Sequence, residues 1–240
     1  MHEADLVIAA DGIKSVLRDF VAGQPTSLAY SNCVAYRSVI PTEALKAVKT
    51  DLLRLLCWSG KNKHIITYPV QANQKINVVF FSTDATVPIG TVNVPPPWVK
   101  PSSHDELLHE YSGWGGDANV ILREMRDPSK WYLHFLHPPL PSYVRQRVVL
   151  VGDAAHAMLP HLGSGAALSA YDTIRVTRAN MVQKMSTVMG DIVERRGPRG
   201  GKIPQIQEQL KGIWHPIWHY NLREDVKRAL ADAYGPGAVL

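Results

Sequence analysis

The tightest constraint on how this chain folds is the stretch Val148-Val-Leu-Val-Gly-Asp-Ala-Ala-His-Ala-Met-Leu-Pro-His-Leu-Gly-Ser-Gly165. The apolar run Val148 to Val151 has the length and β-branched character of a buried strand. It breaks at Gly152-Asp153, loops through Pro160, and restarts as a helix behind Gly163-Ser-Gly165. The strand therefore ends on a carboxylate. Glycines at the helix start let another group approach the backbone N–H donors and the positive end of the helix dipole.

A second block, Ala4-Asp-Leu-Val-Ile-Ala-Ala-Asp-Gly-Ile-Lys-Ser-Val-Leu-Arg18, repeats the logic of strand, Asp-Gly turn and helix. The Asp153 carboxylate is suited to accept hydrogen bonds from ribityl hydroxyls, and the glycine-led N-terminus to face the electron-rich edge of a flavin ring. The two blocks stand in order, about 140 residues apart. They resemble the flavin motifs of the FAD-dependent aromatic-ring monooxygenases, the single-component flavoprotein hydroxylases typified by salicylate and para-hydroxybenzoate hydroxylases. Ala35-Tyr-Arg-Ser38, Tyr68-Pro69, Trp114 and the tail from Trp218 to Val226 are similar to short signatures of that family, with the fungal-type salicylate hydroxylases nearest.

The resemblance implies FAD as cofactor, NADH or NADPH as co-substrate, and dioxygen. It implies hydroxylation of a small phenolic substrate by a flavin C4a-hydroperoxide. It also implies a cofactor site at Asp11, Gly12, Arg18, Gly152, Asp153, Pro160, Gly163 and Gly165. On the residues alone, other readings stand beside these. Asp153 also serves as the N-cap of the following turn, and Asp11 with Ser15 and Arg18 as a cap and ion pair on one short helix. Arg37 is a candidate for the substrate pocket or an ordinary strand arginine. His156 is expected to pack under the flavin.

Periodicity fills in the architecture. Residues 5–10 predict a strand, 15–21 a short helix and 33–40 a strand closed by Pro41, after which Thr42 caps a helix through Val48. Leu52–Trp58, His64–Val70 and Lys75–Ser82 are rich in β-branched and aromatic residues and are joined by short turns, which requires antiparallel pairing. Residues 84–101 read as an irregular proline-rich connector. Ser103 with Glu106 forms a capping box for a helix to about Tyr111, a second helix spans Asp117 to Met125, and a strand returns over Trp131 to Leu136. Behind Gly165, the apolar positions Leu168, Tyr171, Ile174, Met181, Met185, Val188 and Ile192 predict one long amphipathic helix. Helices near Gln205–Leu210 and Leu222–Tyr234 close the chain.

The expected fold is α/β plus α+β: a partial Rossmann-like three-layer FAD/NAD(P)-binding domain with an inserted antiparallel-sheet substrate domain and C-terminal helices. The expected segments are 1–29 and 146–196 for the flavin domain, 30–145 for the substrate domain and 197–240 for the helical tail. No G-x-G-x-x-G follows a strand, so the resemblance implies that the family's first βαβ unit is lacking. Gly165-Ala166 also runs directly into Ala167-Leu-Ser-Ala-Tyr-Asp172, which implies an internal deletion relative to the family. Unpaired sheet edges would then invite association, and an inactive remnant that does not hold FAD alone is the alternative function.

Composition excludes several classes. With 45% hydrophobic residues in 240, the chain can bury a core, and its net charge of +5 is modest. Arg195, Arg196, Arg199 and Lys202 cluster without interleaved aromatics, which reads as a solvated loop and not as a nucleic-acid surface. Cys33 and Cys57 fit neither a disulfide framework nor a metal knuckle and read as reduced core residues of a cytoplasmic protein. No apolar run reaches about 18 residues, and the N-terminus does not read as a signal peptide. Histidine pairs such as His215/His219 lack a third ligand, and Pro216 interrupts that pair, so no metal is expected.

Overall fold

The structure, a computed structural model, describes residues 3–163 and 172–234. The chain divides into two compact units. One comprises residues 1–29, 134–190 and 207–240, the other residues 30–133 and 191–206.

The first unit is built on a three-stranded sheet, order β1-β9-β8, from β1 (Val7–Ala9), β8 (Val144–Arg145) and β9 (Val148–Leu150). β1 and β9 run parallel, with Val7 opposite Val148 and Ala9 opposite Leu150, and β8 returns antiparallel on β9. β1 is an edge strand, and its Val7 and Ile8, with Leu6 just before it, are exposed. Its helices are α1 (Arg18–Ala22), the single turn α4 (Asp153–His156), α5 (Asp172–Val193, whose last residues enter the second unit), α7 (His215–Trp218) and α8 (Leu222–Tyr234). α1 starts three residues later than the sequence suggests. The preceding residues form a turn in which Ser15 N–H donates to Gly12 O and Val16 N–H to Asp11 Oδ2.

The second unit holds a six-stranded antiparallel sheet, order β3-β4-β5-β2-β7-β6. Its strands are β2 (Leu28–Pro41), β3 (Leu56–Gly60), β4 (Lys63–Val70), β5 (Lys75–Thr83), β6 (Val99–Pro101) and β7 (Ser129–Leu136). The register pairs Arg37 with Val79 and Val39 with Asn77 across β2 and β5, and Tyr68 with Asn77 across β4 and β5. Because side chains alternate, each strand presents one set to each face. Tyr36, Ile40, Ile65, Ile76, Val78 and Phe80 point to one face and are buried against α2 (His104–Glu110) and α3 (Gly116–Glu124) through Leu107, Tyr111, Ile121, Leu122 and Met125. Cys33, Ala35, Val79 and Phe81 form a smaller cluster on the other. α2 opens on the expected capping box: Ser103 Oγ accepts from Glu106 N–H at 3.1 Å. α6 (Ile203–Leu210) spans the boundary of the two units.

Several expectations are corrected. Thr42 does not cap a helix. It begins a short 3₁₀ turn, Thr42–Leu45, and its hydroxyl donates to Asn73 O instead. The connector before Pro101 ends in the edge strand β6. Cys33 is buried, but Cys57 is exposed, because it lies on the edge strand β3. In α5 the buried positions are Ala179, Val182, Gln183, Ser186, Met189, Ile192 and Val193, while Met181, Met185 and Val188 are only half-buried. The inward face is rotated from the apolar stripe because it takes in two polar residues. Leu168 and Tyr171 of that stripe, and the junction at Gly165-Ala166, lie outside the described residues. Pro216 sits in the first turn of α7, where its missing N–H costs nothing, and does not interrupt it. His215 and His219 stack there at 4.3 Å, and Trp218, 67% exposed, stacks on Trp214 at 5.6 Å. Among the described residues no helix is long and apolar enough to cross a membrane, and no three His, Cys, Asp or Glu residues converge as a metal site.

Candidate flavin site at the carboxyl ends of two parallel strands

Parallel pairing of β1 with β9 puts both glycine-carboxylate turns at the same end of the sheet. Ala9 lies beside Leu150, and Val151 N–H donates to Ala9 O at 2.9 Å. Two residues beyond Ala9 comes Asp11-Gly12, and two beyond Leu150 comes Gly152-Asp153. Ligands of open α/β sheets bind outside the carboxyl ends of the strands, and this is such an end.

Both turns need glycine. Gly12 has φ +75° and Gly152 φ +61° with ψ −140°, regions that a side chain makes costly. A Cβ added at Gly12, Gly152 or Gly163 would meet no atom within 4 Å, so each borders open space. Asp11 and Asp153 are exposed. Bonding from the Ser15 side chain and then the Val16 N–H holds the Asp11 carboxyl below the ordinary carboxylate range. The site is therefore anionic and open, with backbone close to the surface.

Arg18 joins the turns from beneath. It is 3% exposed. Its Nε donates to Ala154 O at 2.7 Å, and its Nη2 to Asp153 O at 2.9 Å and Gly12 O at 3.1 Å. One buried guanidinium thus ties the Asp-Gly turn to the Gly-Asp turn. Burial lowers its pKa, opposed by the charges of Asp11, Asp19 and Asp153. With its fork committed to protein carbonyls, Arg18 is a positioning residue.

The loop after α4 is fixed from a different direction. Pro160–Leu162 form a 3₁₀ turn closed by Gly163 at φ +63°, with Gly163 N–H donating to Pro160 O. Gln183 Nε2 of α5 donates to Leu136 O at 2.6 Å and to Ala157 O at 3.3 Å, and Ser186 Oγ to Leu159 O at 2.6 Å. Sequence reasoning missed Gln183 and Ser186. Their only signal was polarity inside an otherwise apolar helix face. His156 is buried beside Tyr143, ring centroids 5.7 Å apart. Gly165 lies outside the described residues. Arg37 is in the second unit, half-buried on β2, its guanidinium 5.0 Å from the centre of the Trp131 ring.

A strand-ending carboxylate, a glycine with space above it and a braced proline loop thus gather at this end of the sheet as a candidate site. Comparison with known proteins sharpens this. The family model described as "FAD binding domain" matches residues 2–186. A salicylate hydroxylase of Pseudomonas putida is 37% identical over 96% of this chain and 62% of its own length. The 6-hydroxynicotinate 3-monooxygenase of Pseudomonas fluorescens is 32% identical over 74% of this chain and 44% of its own length. A solved salicylate hydroxylase substrate complex superposes with a TM-score of 0.85 at 32% identity, covering 95% of this chain and 64% of that one. The chain belongs to the FAD-dependent aromatic monooxygenase family. It spans about 62% of the length of the salicylate hydroxylase, and the alignment runs over 268 positions, more than the 240 residues here, so it opens gaps in this chain.

Proposed function

We propose that this chain carries the flavin and substrate elements of a monooxygenase that uses NADH or NADPH and dioxygen to hydroxylate a phenolic ring in the cytoplasm. The observation that supports it most is the side-by-side delivery of Asp11-Gly12 and Gly152-Asp153 by parallel strands, locked by Arg18. FAD, when bound, carries electrons from the nicotinamide to dioxygen and supplies the oxygen atom transferred to the ring. The protein's own residues bind and orient. The Asp153 carboxylate accepts hydrogen bonds from the ribityl hydroxyls. The open backbone at Gly152 and Gly163 admits the cofactor edge, and the Asp11-Gly12 turn borders its phosphate half. Arg18, Gln183 and Ser186 keep those loops from shifting when the cofactor enters. No protein nucleophile or metal is required by this reading.

The test is an FAD titration of the purified chain beside Asp153→Ala, followed by flavin fluorescence. Asp153 is exposed, so the variant keeps its fold. Saturable binding weakened tenfold or more in the variant is expected, with nicotinamide oxidation dependent on an aromatic and oxygen from ¹⁸O₂ found in the product. A folded chain that shows no saturable binding refutes the proposal.

A further inference from the structure

The single turn α7 (His215–Trp218) is held in shape by more than its own length. Trp218 N–H donates to Trp214 O at 2.9 Å and His219 N–H to His215 O at 3.1 Å, so helical bonding carries through His219. Pro216 stands in the first turn, where a helix has no use for its missing N–H. The other side of the turn is pinned within the first unit. Ile217 is buried, and Arg178 of α5 donates from Nη1 to Pro216 O and from Nη2 to Ile217 O, both at 3.0 Å. These are end carbonyls of the kind a helix leaves without an internal donor. The same guanidinium lies 3.5 Å from the centre of the Tyr220 ring.

Side chains four apart on such a turn leave on one side. His215 and His219 are both exposed, and their rings stack with centroids 4.3 Å apart at an interplanar angle of 28°. Neither imidazole has a hydrogen-bond partner among the described residues. Two ring nitrogens bound to one ion, each about 2.0–2.1 Å from it, lie roughly 3 Å apart at a right angle. Rings stacked this closely reach that spacing by rotation about their side-chain torsions, with the backbone already in place. Neutral imidazole is a ligand for nickel, copper and zinc, whereas magnesium and calcium take oxygen donors. Two protein donors are fewer than a closed structural site uses, so water fills the remaining positions.

We propose that His215 and His219 chelate one divalent transition-metal ion of the nickel, copper and zinc class, on a turn that Arg178 and Ile217 hold ready for it. The site lies wholly in the first unit and does not rest on the flavin reading. A built-in reporter stands beside it. Trp214 and Trp218 stack at 5.6 Å on the same turn, and the other four tryptophans belong to the second unit.

The experiment is a calorimetric titration of the metal-free whole chain with Ni²⁺, and with Mg²⁺ for comparison, at pH 7.5. It uses the wild type, His215→Gln, His219→Gln and the double variant, with tryptophan fluorescence recorded in parallel. Both histidines are exposed, so far-UV circular dichroism should show an unchanged fold. The wild type is expected to bind one equivalent of Ni²⁺ at least tenfold more tightly than any Mg²⁺ it takes up. Each single substitution should weaken that equivalent tenfold or more, and the double variant no further than either single, because a chelate is lost when either arm is lost. Tryptophan emission should be quenched with the same midpoint in the wild type alone. Equal Ni²⁺ affinity in the wild type and the double variant overturns the proposal, as does a folded wild type with no saturable binding. Effects of the two substitutions that add also overturn it, since they would mean two independent single-histidine contacts.

Discussion

Replacing Arg18 by methionine tests whether one buried side chain holds the two halves of the candidate flavin site together. Methionine keeps much of the aliphatic stem but deletes three N–H···O bonds, to Ala154 O at 2.7 Å, Asp153 O at 2.9 Å and Gly12 O at 3.1 Å. Hydrogen bonds from a charged donor contribute about 1.5–3 kcal/mol each, and the side chain is 3% exposed, so solvent does not replace them. Against that loss stands the relief of no longer burying a guanidinium, roughly several kcal/mol. The difference leaves a net destabilisation of about 3 kcal/mol. At about 2–4 °C per kcal/mol for a chain of this size, the unfolding midpoint should fall by roughly 6–12 °C. The effect should also be local. The amides of Ala155 and His156, which donate to Gly152 O at 3.0 Å, should exchange with deuterium faster in the variant. Arg18→Lys should fall between the two, because a point ammonium cannot reach three carbonyls in a fork geometry. A midpoint within 2 °C of wild type, together with unchanged exchange at Ala155 and His156, would refute the bracing role.

Two further perturbations separate the cofactor site from the scaffold. Gly152→Ala meets no steric obstacle but forces a side chain to φ +61°, so it should cost about 1–3 kcal/mol of stability. It should cost FAD affinity more, because the new methyl enters the open space; equal FAD affinity in the two proteins would contradict the placement. In the second unit, His64 Nδ1 bonds Glu194 Oε1 at 2.8 Å with both side chains buried, and Arg196 Nε lies 3.1 Å from the other oxygen of Glu194. Burial, with the nearby Arg196 charge, pushes the His64 pKa down to about 3. The native state therefore keeps His64 neutral while the unfolded chain takes up a proton below its ordinary pKa of about 6.5. Unfolded protein binds more protons in that window, so stability rises with pH from 3 to 6.5 and is lost on acidification, by at most about 1.4 kcal/mol per pH unit. Between pH 5 and 6.5, above the range where carboxylates protonate, urea midpoints of wild type should slope more steeply than those of His64→Asn; parallel slopes would count against a neutral buried histidine.

The parts of this molecule that a reader of the sequence can find are those whose cause is local. β4 and β5 are legible because alternation is decided residue by residue and the turn between them is short, which leaves only antiparallel pairing. The capping box at Ser103 and Glu106 is legible for the same reason, as a bond that closes within three residues. The site was half legible. Asp11-Gly12 and Gly152-Asp153 announce themselves as turns after apolar strands, but nothing in either segment says that β1 and β9 are parallel neighbours, and that adjacency is what makes one site of two turns. Arg18 reads in the sequence either as an ion-pair partner within one short helix or as part of the cofactor site; beside Gly12 O, its acceptors are two carbonyls 135 and 136 residues away. The rotated face of α5 has the same origin. Hydrophobic periodicity weighs Gln183 and Ser186 as outward residues because it knows the helix and not the irregular loop beside it. In that loop the carbonyl of Ala157 takes one N–H from Leu136 at the end of β7 and a second from Gln183, and the carbonyl of Leu159 is met by the Ser186 hydroxyl, since a buried carbonyl must be met by some donor. A polar residue on the apolar side of a helix is thus a sign of an irregular backbone segment packed against it, and in this fold such segments are where the cofactor is expected.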